Sequence, residues 1–263
     1  MDATEKLVSC TVRLQTDISV GTGFYYKMRE DENGNFKPVI VTNRHMFEGA
    51  ERLNIHMRCK SESGIVTCEF PIESLKGSVV FHPNPDIDLA VLPIPGLFKI
   101  AQNEMGISPL VTFVSEADIP TDSEIKQLSS IEDVIAVGYP NGLWDQVNIR
   151  PLVRRGITAT DYKLDYEGKP IFVIDCQIYP GSSGSPIFLY DKGTQFHGND
   201  IVLGGLKVKF LGVNSSVFIH SIEGKIIEKP IPTNYGAITN VPMGLGIIIK
   251  ACELKEIEPY LPI

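Results

Sequence analysis

Tyr179-Pro180-Gly181-Ser182-Ser183-Gly184-Ser185-Pro186 is the stretch on which the reading of this chain turns. An apolar run, Ile171–Cys176, precedes it and another, Pro186–Leu189, continues from it, so it joins two β-strands. Glycines at 181 and 184 admit backbone conformations closed to other residues. A tight Gly-x-Ser-Gly turn can therefore aim successive backbone N–H groups at one point, which suits an oxyanion forming beside the serine. Taken alone, the same residues describe a flexible Gly/Ser turn.

Two further segments change the balance. Val41-Thr-Asn-Arg-His45 is a β-branched strand running into a histidine, and Asp86-Ile-Asp88-Leu-Ala-Val-Leu92 sets acids at the head of an apolar strand. Each has an ordinary reading alone, a structural histidine and a turn aspartate. Together with the serine turn they supply the hydroxyl, the imidazole and the orienting acid of nucleophilic catalysis at a carbonyl.

Outward from these segments the chain keeps one texture, a strand of four to eight residues and then a turn. Leu7–Leu14, Gly21–Tyr26, Pro38–Thr42, Leu53–Met57, Ile65–Phe70, Ser78–Phe81, Leu89–Ile94, Asp133–Gly138, Ile201–Val208 and Phe210–Val213 all read as strands. Two stretches read as helices: Asp122–Leu128, with Asp122 as its cap, and Lys250–Tyr260. The expectation is an all-β chain of two six-stranded antiparallel β-barrels with a C-terminal helix. The first barrel would span about 5–115, the second about 131–249 and the helix about 250–262, with the polar stretch Glu116–Ser130 as the link.

Composition agrees and excludes several function classes. Of 263 residues, 43% are hydrophobic and 21% charged, enough to bury a core, and 23 glycines and 18 prolines favour turns over long helices. A net charge of −8 with no Lys/Arg block argues against nucleic acid as partner. Gly246-Ile-Ile-Ile249 is far too short to cross a bilayer, and no basic-then-apolar leader opens the chain, so no membrane role is expected. The five cysteines, at 10, 59, 68, 176 and 252, are odd in number and lack C-x-x-C spacing. A cytoplasmic location is expected, with a Cys59–Cys68 bridge across a hairpin left open. No cluster of Cys, His and acids has metal-ligand spacing, so neither metal nor other cofactor is expected.

The order His, Asp, Ser resembles that of the chymotrypsin-fold, trypsin-like serine peptidases. The resemblance runs from about residue 8 to 262 and is nearest to the bacterial stand-alone and high-temperature-requirement branches. At the serine loop it is similar to the bacterial glutamyl endopeptidases. Gly21-Thr-Gly-Phe24 matches the family's G-[ST]-G-F and Asp88-Leu-Ala-Val-Leu92 its D-[IL]-A-[VL]-[IL], while Val41-Thr-Asn-Arg-His45 resembles its V-[LT]-T-x-x-H through the T-x-x-H end. Gly181-Ser-Ser-Gly-Ser-Pro186 resembles G-[ND]-S-G-[GS]-P, with Ser182 standing at the [ND] position. Val137-Gly-Tyr-Pro140 and Val153-Arg-Arg-Gly-Ile157 resemble central strands of the second barrel, Phe210–Asn214 the cleft strand, and Met243–Ile247 the approach to the last helix.

The resemblance implies a serine endopeptidase acting on protein or peptide, with Ser183 as nucleophile, His45 as general base and Asp88 as orienting acid. The amides of Gly181 and Ser183 would form the oxyanion hole. Asp86 rivals Asp88, and Ser182 and Ser185 rival Ser183, but only Asp88 directly precedes Leu-Ala-Val and only Ser183 has both flanking glycines. His56, His82, His197 and His220 lack a matching strand context. The substrate pocket would be walled by Gln177, Tyr179, Pro180, Val213, Asn214 and Ser215, none of them charged, which favours apolar or small polar side chains. One departure stands out: family members activated by a new N-terminus carry an aspartate where this chain has Ser182. The chain would then be born with a formed site or be restrained by a regulatory partner protein. The alternative is a catalytically silent peptide-binding pseudoprotease on the same fold.

Overall fold

A computed structural model describes residues 2–197, 200–226 and 235–262. Its first half is one antiparallel sheet of β1 (Thr11–Thr16), β2 (Val20–Met28), β3 (Lys37–Thr42), β4 (Leu53–Ser61), β5 (Gly64–Ile72), β6 (Val80–Phe81), β7 (Ala90–Pro93) and β8 (Ser108–Pro109). The strand order is β5-β4-β1-β2-β3-β7-β6, with β8 added on β4. The second half holds β9 (Asp133–Gly138), β10 (Leu152–Thr158), β11 (Ile171–Asp175), β12 (Pro186–His197), β13 (Asp200–Ile226) and β14 (Tyr235–Lys250). These close into an antiparallel barrel in the order β10-β11-β14-β13-β12-β9.

One of the two expected six-stranded barrels is therefore closed. The other is an eight-stranded sheet, and no pairing joins its end strands β5 and β6 among the described residues. The ends are poorly equipped to close: β6 is two residues long, and Pro71 in β5 has no amide to donate to a further strand.

The strands nearest the site carry unbroken apolar runs, Phe24–Tyr26, Val39–Val41 and Ala90–Leu92, because they are buried on both faces. In β2, β3 and β7, Tyr25, Ile40, Ala90 and Leu92 point into the core of the first half. Their neighbours Phe24, Tyr26, Val39, Val41 and Val91 point the other way, into a core shared between the halves. The barrel answers with the same alternation of period two: Val134, Ala136, Ile187 and Leu189 fill its interior, while Ile135, Val137 and Phe188 join the shared core. Phe210 sits at the centre of that core, its ring 5.2 Å from Phe24 and 5.7 Å from Phe188.

Several expected elements are redrawn. The chain opens not on a strand from Leu7 but on α1 (Ala3–Ser9), capped by the Asp2 carboxylate, which accepts from the Glu5 amide at 2.8 Å. A helix beyond the two expected, α2 (Pro95–Asn103), starts on a proline and buries Leu97 and Ala101 one turn apart. Helix α3 (Asp122–Gln127) lies where a helix was read, but Thr121 rather than Asp122 caps it, in a reciprocal box with Glu124. The runs at Ile201 and Phe210 belong to one strand, β13, with a bulge where Ile187 faces Gly212 and Phe188 faces Phe210. The C-terminal segment is a 3-10 helix, Ala251–Tyr260, not an α-helix. Its buried residues, Ala251, Leu254 and Ile257, recur every three positions, the spacing that a helix of three residues per turn aligns.

Candidate active site

The pairing of β3 with β7 ends at Thr42 opposite Ala90, so the residues just beyond β3 and just before β7 leave the sheet side by side. After β3 the chain makes a short 3-10 turn, Arg44–Met46, led by buried Asn43. Asn43 Nδ2 donates to the Asp88 carbonyl at 2.9 Å and fixes the two segments together. The His45 amide donates to Asp88 Oδ1 at 3.0 Å, and His45 Nδ1 lies 2.7 Å from Asp88 Oδ2. Ser215 Oγ, from β13, donates to the same Oδ2 at 2.8 Å.

Burial pushes the Asp88 carboxyl up, but the hydrogen bond to His45, the His45 charge, the His45 amide and Ser215 outweigh it and hold it below its ordinary value. Asp88 is thus an ionised acceptor, and the proton between it and the imidazole belongs to Nδ1. In a neutral ring so oriented, Nε2 is the accepting nitrogen. The His45 side chain is 47% exposed.

The serine loop bends through positive φ at Gln177 (50°), Gly181 (81°) and Gly184 (80°). Glycine is required at 184 for a second reason: a Cβ there would fall against the Thr22 carbonyl oxygen and the Thr42 hydroxyl. The loop is seated directly on β2. The Thr22 amide donates to the Ser183 carbonyl at 3.0 Å, and the Thr22 hydroxyl accepts from the Tyr139 amide at 2.9 Å. On the barrel side, the Gly184 amide donates to the Asn214 carbonyl at 2.8 Å and the Asn214 amide to the Ser185 carbonyl at 2.9 Å. The amides of Gly181 and Ser183 donate to no described residue.

Ser183 Oγ donates to the Ser215 carbonyl at 3.4 Å. Ser215 therefore holds Asp88 by its hydroxyl and Ser183 by its carbonyl, and one residue of β13 gathers acid and serine around His45. No hydrogen bond links His45 to Ser183 among the described residues. Asp86 stays outside: it is exposed, and its amide is bonded to Asn84 Oδ1 at 3.0 Å.

The expected pocket residues divide. Gln177, Tyr179 and Pro180 are exposed at the loop. Val213 is fully buried in the core shared between the halves, since the strand alternation turns it away from the surface. Asn214 is buried too, its Nδ2 donating to the Ser182 carbonyl at 3.0 Å, and the Ser215 hydroxyl is engaged with Asp88. A cation reaches this region after all, from β10. Arg154 Nη1 donates to the Gln177 carbonyl at 3.0 Å and to Ser182 Oγ at 3.4 Å, with its guanidinium 5.0 Å from the Tyr179 ring centre.

Elsewhere, His56 faces Glu69 at 3.6 Å, and burial lowers its pKa. His82 is buried against Glu253 at 3.4 Å. The side chains of His197 and His220 lie outside the described residues. All five cysteines are free thiols, and burial, with Cys68 beside it, pushes Cys59 up to about 12. Among the described residues no group of His, Cys, Asp and Glu could hold a metal, and no helix is long and apolar enough to cross a membrane.

A comparison with curated protein sequences finds no match. Among solved structures, the chain is similar to Rv3671c from M. tuberculosis, a serine-to-alanine mutant in an inactive form. The identity is 18% over 99% of this chain and 91% of that one, with a TM-score of 0.49. A second structure of the Rv3671c protease, also inactive, aligns at 17% identity over 99% and 92% of the two chains, with a TM-score of 0.47. The model of the trypsin-like peptidase domain family matches residues 21–194, a span that runs from β2 through His45, Asp88 and Ser183 into β12. By that match, this chain belongs to the family of trypsin-like peptidase domains.

Proposed function

We propose that this protein is a serine endopeptidase that cuts peptide bonds through an acyl-enzyme intermediate. Ser183 Oγ attacks the scissile carbonyl carbon while His45 Nε2 takes its proton. Asp88 holds the ring in the accepting tautomer and stabilises the imidazolium that forms. The carbonyl oxygen, now an anion, is received by the amides of Gly181 and Ser183. His45 returns the proton to the leaving amine, the C–N bond breaks, and the acyl group stays on Ser183. Water, deprotonated by His45, then attacks the ester carbon; the bond to Ser183 Oγ breaks, His45 returns the proton to that oxygen, and the carboxylic acid is released. The observation that carries this reading is the Asp88 carboxylate, bonded at 2.7 Å to His45 Nδ1 and at 2.8 Å to Ser215, whose carbonyl accepts from Ser183. In resting enzymes the serine–imidazole bond is often long and tightens only when substrate binds.

The test is covalent labelling with a fluorophosphonate probe. Mass spectrometry should find the adduct on Ser183, with Ser183→Ala unlabelled. A well-folded wild-type chain that takes no label would instead favour the silent, peptide-binding reading. We further place the enzyme in a reducing, cytoplasmic setting, supported by five free thiols in an unpaired number. A reductant should then leave the melting temperature unchanged, and a large fall would overturn the placement.

A further inference from the structure

We propose that Arg154 is a positioning residue that clamps the serine loop and so aims the oxyanion-binding amides. This rests on the endopeptidase reading above. The loop segment from 177 to 184 needs external restraint. It begins at a non-glycine residue with φ of 50°, Gln177, and turns again at Gly181 and Gly184. The amides of Gly181 and Ser183 point at no described protein acceptor, so no bond of their own fixes their direction. Whatever holds the loop must act through its other atoms.

Arg154 touches three of those residues at once. One guanidinium nitrogen donates to the Gln177 carbonyl and approaches the Ser182 hydroxyl, while the cation lies over the exposed Tyr179 ring. Gln177 and Ser182 bracket the turn on either side of Pro180-Gly181, so a single rigid group ties together the two ends of the arc that carries the Gly181 amide. The carbonyl bond also supports Gln177 in its strained conformation. Arg154 itself is held by the β10–β9 ladder opposite Ala136 and not by another loop. Among the described residues it has no carboxylate partner, so the clamp is not diverted to an ion pair. Its neighbour Arg155, on the opposite face of the strand, pairs with Asp133 at 3.1 Å.

The arrangement also accounts for Ser182. A hydroxyl there accepts from a guanidinium supplied by a strand of the same barrel, so the loop is fixed from within the fold. A positively charged group is present at this position without any cleavage of the chain.

Three variants of the full chain test this. Arg154→Met keeps the bulk of the side chain but removes its donors and charge. It should lower kcat for a peptide substrate about 10- to 100-fold, short of the 10²–10³-fold lost when an oxyanion donor is deleted outright, with KM within about threefold. Arg154→Ala should recover part of its kcat when methylguanidinium is added, which a merely structural loss would not do. Arg154→Lys, which keeps the charge but loses the planar guanidinium over the Tyr179 ring, should fall between. Hydrogen exchange read by mass spectrometry, which needs no catalysis, should show faster exchange over 177–184 in Arg154→Met, while β9 and β12 are unchanged. If the variants keep wild-type kcat and wild-type exchange at the loop, the clamp is refuted. If the wild type itself is neither labelled nor active, the peptidase reading fails, and the exchange experiment still decides whether Arg154 holds the loop.

Discussion

Replacing Asp88 by asparagine turns one carboxylate oxygen into an NH2 group, and the donors that converge there leave it no harmless place. At the Oδ1 position the NH2 would face the His45 backbone N–H, donor against donor, at a separation now 3.0 Å. At the Oδ2 position it would face His45 Nδ1 and Ser215 Oγ, now 2.7 and 2.8 Å away. The hydroxyl can reverse and accept. The imidazole can accept only by moving its proton to Nε2, which removes the lone pair that must take the Ser183 proton. An unsatisfied donor costs about 1–3 kcal/mol, so the productive tautomer would become the minor form by about 5- to 150-fold. Loss of the negative charge beside the forming imidazolium adds to that. In the best-characterised serine protease triad the combined effect is about 10⁴-fold in kcat, or about 5.4 kcal/mol of barrier. We expect Asp88→Asn to lower kcat by about 10³- to 10⁴-fold on a fluorogenic peptide near neutral pH, with near-native circular dichroism. Asp86→Asn, at an exposed side chain with no bond to His45, should stay within about threefold of wild type. A folded Asp88→Asn that keeps a tenth of wild-type kcat, or an Asp86→Asn that proves the worse of the two, would refute the assignment of the acid.

Gly184→Ala should destabilise the fold by about 2–5 kcal/mol, from left-handed strain plus overpacking against the Thr22 carbonyl, and urea unfolding that moves by less than 1 kcal/mol would contradict this. Phe210→Ala, which empties the centre of the shared core, should cost about 3–5 kcal/mol in the same assay, whereas a loss of no more than about 1 kcal/mol would mean the core closes over the gap. Glu124 gives a pH signature. The Thr121 amide and hydroxyl, with Lys209 at 2.9 Å, hold its carboxyl down at about 2 against an ordinary 4.5. A carboxyl lowered on folding adds stability above its unfolded pKa and loses it as pH falls through its folded one. The melting-temperature gap between wild type and Glu124→Gln should therefore be full above pH 4.5 and close toward pH 2, and a gap that does not change with pH would rule out this linkage.

What the sequence disclosed and what it withheld follow from how far each feature reaches along the chain. His45, Asp88 and Ser183 stand out as candidates because each sits at a strand end with its own local pattern, and the strands are plain where burial on both faces gives an unbroken apolar run. Closure of a sheet has no local pattern. It depends on whether two ends far apart in sequence find each other, and no pairing joins β5 to β6 among the described residues. Ser215 was read as pocket wall because it follows the cleft strand, and nothing near it reveals that its hydroxyl belongs to Asp88, 127 residues away. Arg154 was the most legible of the omissions. Two adjacent arginines on one strand must leave on opposite faces, so the two meet different surroundings. Arg155 is the exposed member and Arg154 the half-buried one, and the pocket expected to be without charge has a guanidinium against Gln177 and Ser182. A stretch without cations specifies only its own residues, whereas the field at a site is set by every element packed against it.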